Sequence, residues 1–281
     1  IGFISDEAYN SQILGKNISE GVTLWERLYS EIHGWLTGSG RFWPFNWFYK
    51  YGLYTLQPTP FVIKLITLII VALNVLFYAK IIQFITKDRN LSYICAFIVP
   101  LFFQFRLWHD PIMAFTFMIP LISLFLFSTT YLLINYLKEN KLVTISLFGF
   151  LYLLSLWTYE LTYVFISFYT LIIIFAKERR GWWKPFLLIV AMTSLHVFIT
   201  IYFKDPNRNE YPGSALNFDY QVIFSSLLVQ ITSAFPLSWK IANAPAHESL
   251  TKITYSVLLI SVSYTHLRAH ETREERRCRR G

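Results

Sequence analysis

The sequence predicts an all-α, polytopic membrane protein. Three observations carry this: 54% of its 281 residues are hydrophobic, 19% are aromatic, and apolar runs near 20 residues recur along the chain. A helix rises about 1.5 Å per residue, so about 20 apolar residues cross a hydrocarbon core of about 30 Å. Soluble domains have no use for several such runs.

Residues 1–57 hold no span. Val22, Leu24, Trp25, Leu28, Ile32 and Trp35 recur at three- and four-residue steps, which predicts one or two amphipathic helices lying at the membrane surface. Gly38-Ser39-Gly40 ends that pattern, and Arg41-Phe-Trp-Pro-Phe-Asn-Trp-Phe48 follows as a compact aromatic segment. Trp and Tyr favour the bilayer interface, so anchoring is the plain role for these rings, with sugar stacking as its rival.

Pro58 and Pro60 close this region. Spans are expected at about 61–84, 91–105, 112–136, 142–157, 162–176 and 185–203, forming a bundle over 58–203. An extracytoplasmic loop over 204–252 and the start of a seventh span at 253–261 follow. Residues 262–281 resemble a translated sequencing-library adapter and are set aside. That tail holds six of the 25 basic and three of the 17 acidic residues, leaving 19 and 14, a net +5 in place of +8. No nucleic-acid partner is expected at that charge. The chain begins at Ile1 and is expected to lack a preceding span.

Cys95 lies in an apolar run and Cys278 in the tail, so neither a disulfide framework nor a cysteine metal site is expected. Lys80, Lys87 and Arg89 form one basic loop, Lys138 and Lys141 a second, and Lys177, Arg179, Arg180 and Lys184 a third. If every segment spans, all three fall on the cytoplasmic side. Trp182-Trp183 then belongs to the interfacial belt.

The same parity gathers four distant polar groups on the opposite face. These are Asp6-Glu7 with the aromatic segment that begins at Arg41, Arg106-Leu-Trp-His109-Asp110, Tyr159-Glu160, and the 204–250 segment with Arg208, Glu210 and Tyr211. Ionisable groups are costly near a bilayer, and clustering at span ends suggests a site. His196, within a span, is read as a hydrogen-bonded packing residue.

The acidic pair in Ser5-Asp6-Glu7-Ala8-Tyr9, the amphipathic helices after it, Gly40-Arg41-Phe42 and the many spans with short turns resemble the GT-C superfamily of integral-membrane glycosyltransferases. The chain looks most like the members that build or modify bacterial surface polysaccharides and O-antigens. The resemblance implies a GT-C-like helix arrangement in the bacterial inner membrane, with the site on the extracytoplasmic face. It implies transfer of a sugar from a polyprenyl-phosphate donor to a glycan or lipid acceptor. Asp6 would be the base, with Glu7 orienting it or the acceptor. Arg41, Arg106 and His109 would be phosphate partners, with Arg208 held in reserve, and Asp110, Glu160 and Tyr211 would contact the substrate. No metal is asserted, although Asp110 and Glu160 could position a divalent cation. The alternatives are a lipid-linked glycan flippase or transporter, or a polysaccharide polymerase. No internal repeat of the transporter kind is present.

Overall fold

A computed structural model describes residues 6–98, 116–176, 181–205, 207 and 220–221, with Asp6 described by its backbone alone. The chain divides into two units, Ile1–Leu216 and Asn217–Gly281, and everything below concerns the first. Among the described residues it is helical, with α1 Asp6–Asn10, α2 Ile13–Glu20, α3 Leu24–Ser39, α4 Pro44–Thr55, α5 Pro60–Thr86, α6 Arg89–Ile98, α7 Met118–Glu139, α8 Leu142–Leu156, α9 Thr162–Phe175 and α10 Trp183–Phe203. The helix boundaries of α5, α8, α9 and α10 fall within two residues of the expected spans. Residues 99–115, which would complete the second span and open the third, lie outside the described residues, and so does the region from 222 onward.

Three helices, α5, α7 and α10, are long and apolar enough to cross a membrane, which is compatible with a membrane protein. α8 and α9 are apolar but have 15 and 14 residues, so each reaches only about 21–23 Å. Burial ranks the long helices: 56% of the apolar window of α7 is inside the protein, against 11% for α10. α7 is therefore the central post, packed by α5, α8 and α9. Its Ile122, Leu126, Leu133 and Leu137 form one core with Phe148, Tyr152 and Leu156 of α8, Tyr169 and Ile173 of α9 and Ile189 of α10. Two hydrogen bonds cross that core, Thr129 Oγ1 with the Tyr169 hydroxyl (2.6 Å) and the Tyr152 hydroxyl with Thr193 Oγ1 (2.7 Å). Leu68 and Ile69 of α5, Val164 and Leu171 of α9, and Leu195 and Ile201 of α10 remain exposed. Lipid tails would cover such a surface without cost.

Among the described residues of the first 57 there are four helices, where one or two were expected. Thr23 and Glu26 form a capping box at the start of α3, with Thr23 Oγ1 accepting from the Glu26 N–H and the Glu26 carboxylate accepting from the Thr23 N–H. Thr23-Leu-Trp-Glu26 is the sequence signature of such a start. Gly40 ends α3 in the left-handed region at φ 65°, which a glycine enters without a Cβ penalty. The aromatic segment is mostly helix, because Pro44 at the first helical position presets φ and its missing N–H costs nothing there. A second core joins these helices to the bundle through Ile13, Leu28, Tyr51, Tyr54, Ile63, Ile70 and Phe117.

The bundle thus has two distinct ends. At one, α1–α4 cap the N-termini of α5, α7 and α9 and the C-termini of α8 and α10. At the other lie the α5–α6 and α7–α8 connections and Gly181, just before α10, whose carbonyl accepts from the Tyr136 hydroxyl (3.4 Å).

Candidate functional site at the capped end

The strap Gly40–Trp43 between α3 and α4 lies over the α8–α9 turn. The N–H groups of Phe45 and Asn46 both donate to the Trp157 carbonyl at the end of α8 (3.1 and 3.3 Å). The positive end of α4 thereby meets the negative end of α8. His196 of α10 holds the strap from a third direction. Its Nε2 lies 3.0 Å from the Phe42 carbonyl, and its Nδ1 lies 2.6 Å from the Tyr163 hydroxyl. A carbonyl can only accept, so Nε2 carries the proton and Nδ1 accepts from Tyr163. His196 is 3% exposed and is a packing residue, as the sequence suggested. The strap's other edge is tied by the Asp205 N–H, which donates to the Thr37 carbonyl (2.9 Å).

Two expected site residues meet on this strap. Arg41 Nε lies 3.4 Å from Glu160 Oε1, and both side chains retain some exposure. The Arg41 guanidinium stands 4.9 Å from the Trp43 ring centre, and Trp43 packs against Tyr159 (5.2 Å) and Trp35 (5.7 Å). Trp35 in turn meets Trp47 at 5.9 Å. An ion pair therefore sits beside a wall of four large rings. The Trp43 side chain also hydrogen-bonds toward the Glu160 carboxyl, whereas the indole N–H of Trp47 is buried without a hydrogen-bond partner among the described residues. An unpaired buried donor is expensive, so the Trp47 indole favours an oxygen-bearing occupant beside it.

Burial pushes the Glu160 carboxyl above the ordinary glutamate range, an effect partly offset by the Arg41 charge. Glu160 consequently binds its proton more tightly folded than unfolded. Its contribution to stability is present below the ordinary glutamate value and is lost as pH rises through the raised one. Arg41→Ala removes the offset and raises the carboxyl further, so the decline of Tm with rising pH becomes steeper in that variant. Thermal melts across about pH 4 to 7 measure it; identical slopes in parent and variant would show that the pair does not couple.

The acidic pair is placed differently. Asp6 is the first residue of α1. Glu7 is fully buried, and both of its carboxylate oxygens accept from Lys64 Nζ on α5, at 2.7 and 2.6 Å. No local pattern in the sequence pairs Glu7 with Lys64, which lies 57 residues further along the chain. Glu7 is thus engaged in anchoring α1 to α5, while Asp6 stands beside that anchor at the capped end. Arg106, His109, Asp110, Arg208 and Tyr211 lie outside the described residues. Among the described residues, no three His, Cys, Asp or Glu side chains gather in a way that could hold a metal ion. No protein-family model matches the chain, and no match was found among curated proteins or solved structures.

Proposed function

We propose that this chain is a membrane glycosyltransferase of GT-C type, moving a sugar from a polyprenyl-phosphate donor to an extracytoplasmic glycan or lipid acceptor. The observation that carries the reading is the Arg41–Glu160 pair set against the Trp43, Trp35 and Tyr159 rings at the same bundle end as Asp6. Such a surface suits a pyranose, whose apolar face stacks on rings while its hydroxyls seek polar groups. In the reaction, the Asp6 carboxylate takes the proton of the acceptor hydroxyl, whose oxygen bonds to the anomeric carbon. The bond from that carbon to the phosphate oxygen breaks, and polyprenyl phosphate leaves with inversion. Arg41 stabilises the departing phosphate. Glu160 positions Arg41 and accepts from sugar hydroxyls, and Glu7, through Lys64, holds α1 so that Asp6 stays in place.

The test is transfer of labelled hexose from polyprenyl-phosphate hexose into glycan or lipid by membranes containing the chain. Transfer above that of membranes lacking it supports the reading. No transfer, with movement of an intact lipid-linked glycan between leaflets, returns the chain to the flippase class.

Two further outcomes follow from the same reading. Arg41→Ala weakens donor binding by about 10- to 100-fold, the equivalent of one charge-assisted contact, and Arg41→Lys recovers only part because an ammonium lacks the bidentate fork. Unchanged donor affinity in Arg41→Ala moves phosphate recognition to Arg106 or Arg208. The capped end is extracytoplasmic, so an impermeant thiol reagent on intact cells labels Leu56→Cys, exposed at the end of α4, and spares Lys141→Cys. The reverse pattern inverts the topology and removes the donor from reach.

A further inference from the structure

The opposite end of the bundle carries a second arrangement, independent of the transfer reaction. Lys80 of α5 lies 5.7 Å from the Phe77 ring centre and 5.5 Å from that of Tyr131 on α7. Seven residues further along both helices the pattern repeats: Lys87 lies 4.1 Å and Lys138 3.9 Å from the ring centre of Phe84. Seven residues are two helical turns, about 10.5 Å. Three ammonium groups therefore line one seam between α5 and α7, each held on an aromatic face.

None of the three has a carboxylate within ion-pair distance among the described residues. The nearby acids are engaged elsewhere. Glu139 pairs with Lys141 at 2.7 Å, and Asp88 Oδ1 accepts from the Asn90 and Leu91 N–H groups at the start of α6. Lys87 and Lys138 share one ring, which by their 4.1 and 3.9 Å distances puts them no more than about 8 Å apart. Their mutual repulsion is offset only in part by the protein, through the Glu139 carboxylate, which feels the Lys138 charge as well as its Lys141 partner.

Depth identifies what would compensate it. α5 has 27 residues, about 40 Å of helix against an apolar core of about 30 Å. Its last two turns therefore reach the headgroup layer, and Lys80, Lys87 and Lys138 are all exposed there. We infer that the α5–α7 seam at Phe77–Lys87 and Tyr131–Lys138 binds the headgroup of an anionic phospholipid, with its phosphate among the three ammonium groups and its acyl chains along the exposed face of α5.

The experiment reconstitutes the full chain in bilayer discs of phosphatidylcholine with increasing phosphatidylglycerol and counts retained lipids by native mass spectrometry. The parent is expected to retain phosphatidylglycerol in preference to phosphatidylcholine. Lys138→Gln lowers that preference about fivefold, the equivalent of about 1 kcal/mol per basic side chain at a bilayer surface. The Lys80→Gln, Lys87→Gln, Lys138→Gln triple variant abolishes it, and the corresponding triple Arg variant retains it. Lys141→Gln, whose ammonium faces Glu139, leaves it unchanged. Should the triple Gln variant fail to fold, the single Lys138→Gln variant decides. No preference in the parent, an unaltered preference in Lys138→Gln, or full displacement of the lipid by inorganic phosphate overturns the proposal.

Discussion

Asp6→Asn reduces sugar transfer by about 10²- to 10⁴-fold, the range that a positioned general base contributes. The substitution keeps the size of the side chain and most of its hydrogen-bonding shape, but an amide cannot take a proton from an acceptor hydroxyl at neutral pH. It therefore separates proton transfer from packing. Asp6 opens α1, and the next residue anchors that helix, since Glu7 is bonded to Lys64 through both oxygens. The anchor is untouched in Asp6→Asn, so the melting temperature should stay at the parental value while turnover falls. Glu7→Gln behaves in the opposite order, losing stability first and activity only as α1 loosens. Initial rates with a polyprenyl-phosphate hexose, read beside thermal melts of the same preparations, distinguish the two. Parental turnover in Asp6→Asn would remove it as the base.

The helices were legible in the sequence because their apolar runs have lengths that can be counted, whether or not a run is long enough to cross a membrane. The ends of α5, α8, α9 and α10 show this. Local chemistry was legible too, in the Gly40 stop and in the capping signature Thr23-Leu-Trp-Glu26. What could not be read was pairing between distant positions. Nothing local in Ser5-Asp6-Glu7 marks one carboxylate for burial, because the reason lies on Lys64, the fifth residue of a helix that starts at Pro60. The meeting of Arg41 with Glu160 was foreseen only as a shared face. Contact required His196 and the Trp157 carbonyl to fix the strap, and neither signals that role in sequence. The aromatic segment was expected as a compact stretch after the Gly38-Ser39-Gly40 break, and Trp and Phe are weak helix formers. Tertiary contact decided for helix once Pro44 had set the first turn.

The buried pair itself yields the largest expected effect on stability. Lys64→Met removes the ammonium bonded to both Glu7 carboxylate oxygens, at 2.7 and 2.6 Å, and places an apolar side chain beside a fully buried carboxylate. Breaking a buried pair from one side costs about 3–5 kcal/mol, because the remaining charge has lost the water that ionised it and the partner that replaced that water. In a chain of this size that lowers Tm by about 10 °C. Glu7→Leu alone costs a similar amount by removing the carboxylate bonded to the Lys64 ammonium, which is largely buried. The double variant Glu7→Leu/Lys64→Met removes both charges at once and should recover most of the loss, since an apolar contact of similar volume can replace an ion pair at little cost. The four melts of this cycle isolate the coupling between the two side chains. Additive losses in the double variant would show that Glu7 and Lys64 stabilise the fold separately, and α1 would then need another anchor. If coupling is found, the double variant also tests the transfer reaction from a second side: α1 is seated again, Asp6 is intact, and activity should return with stability.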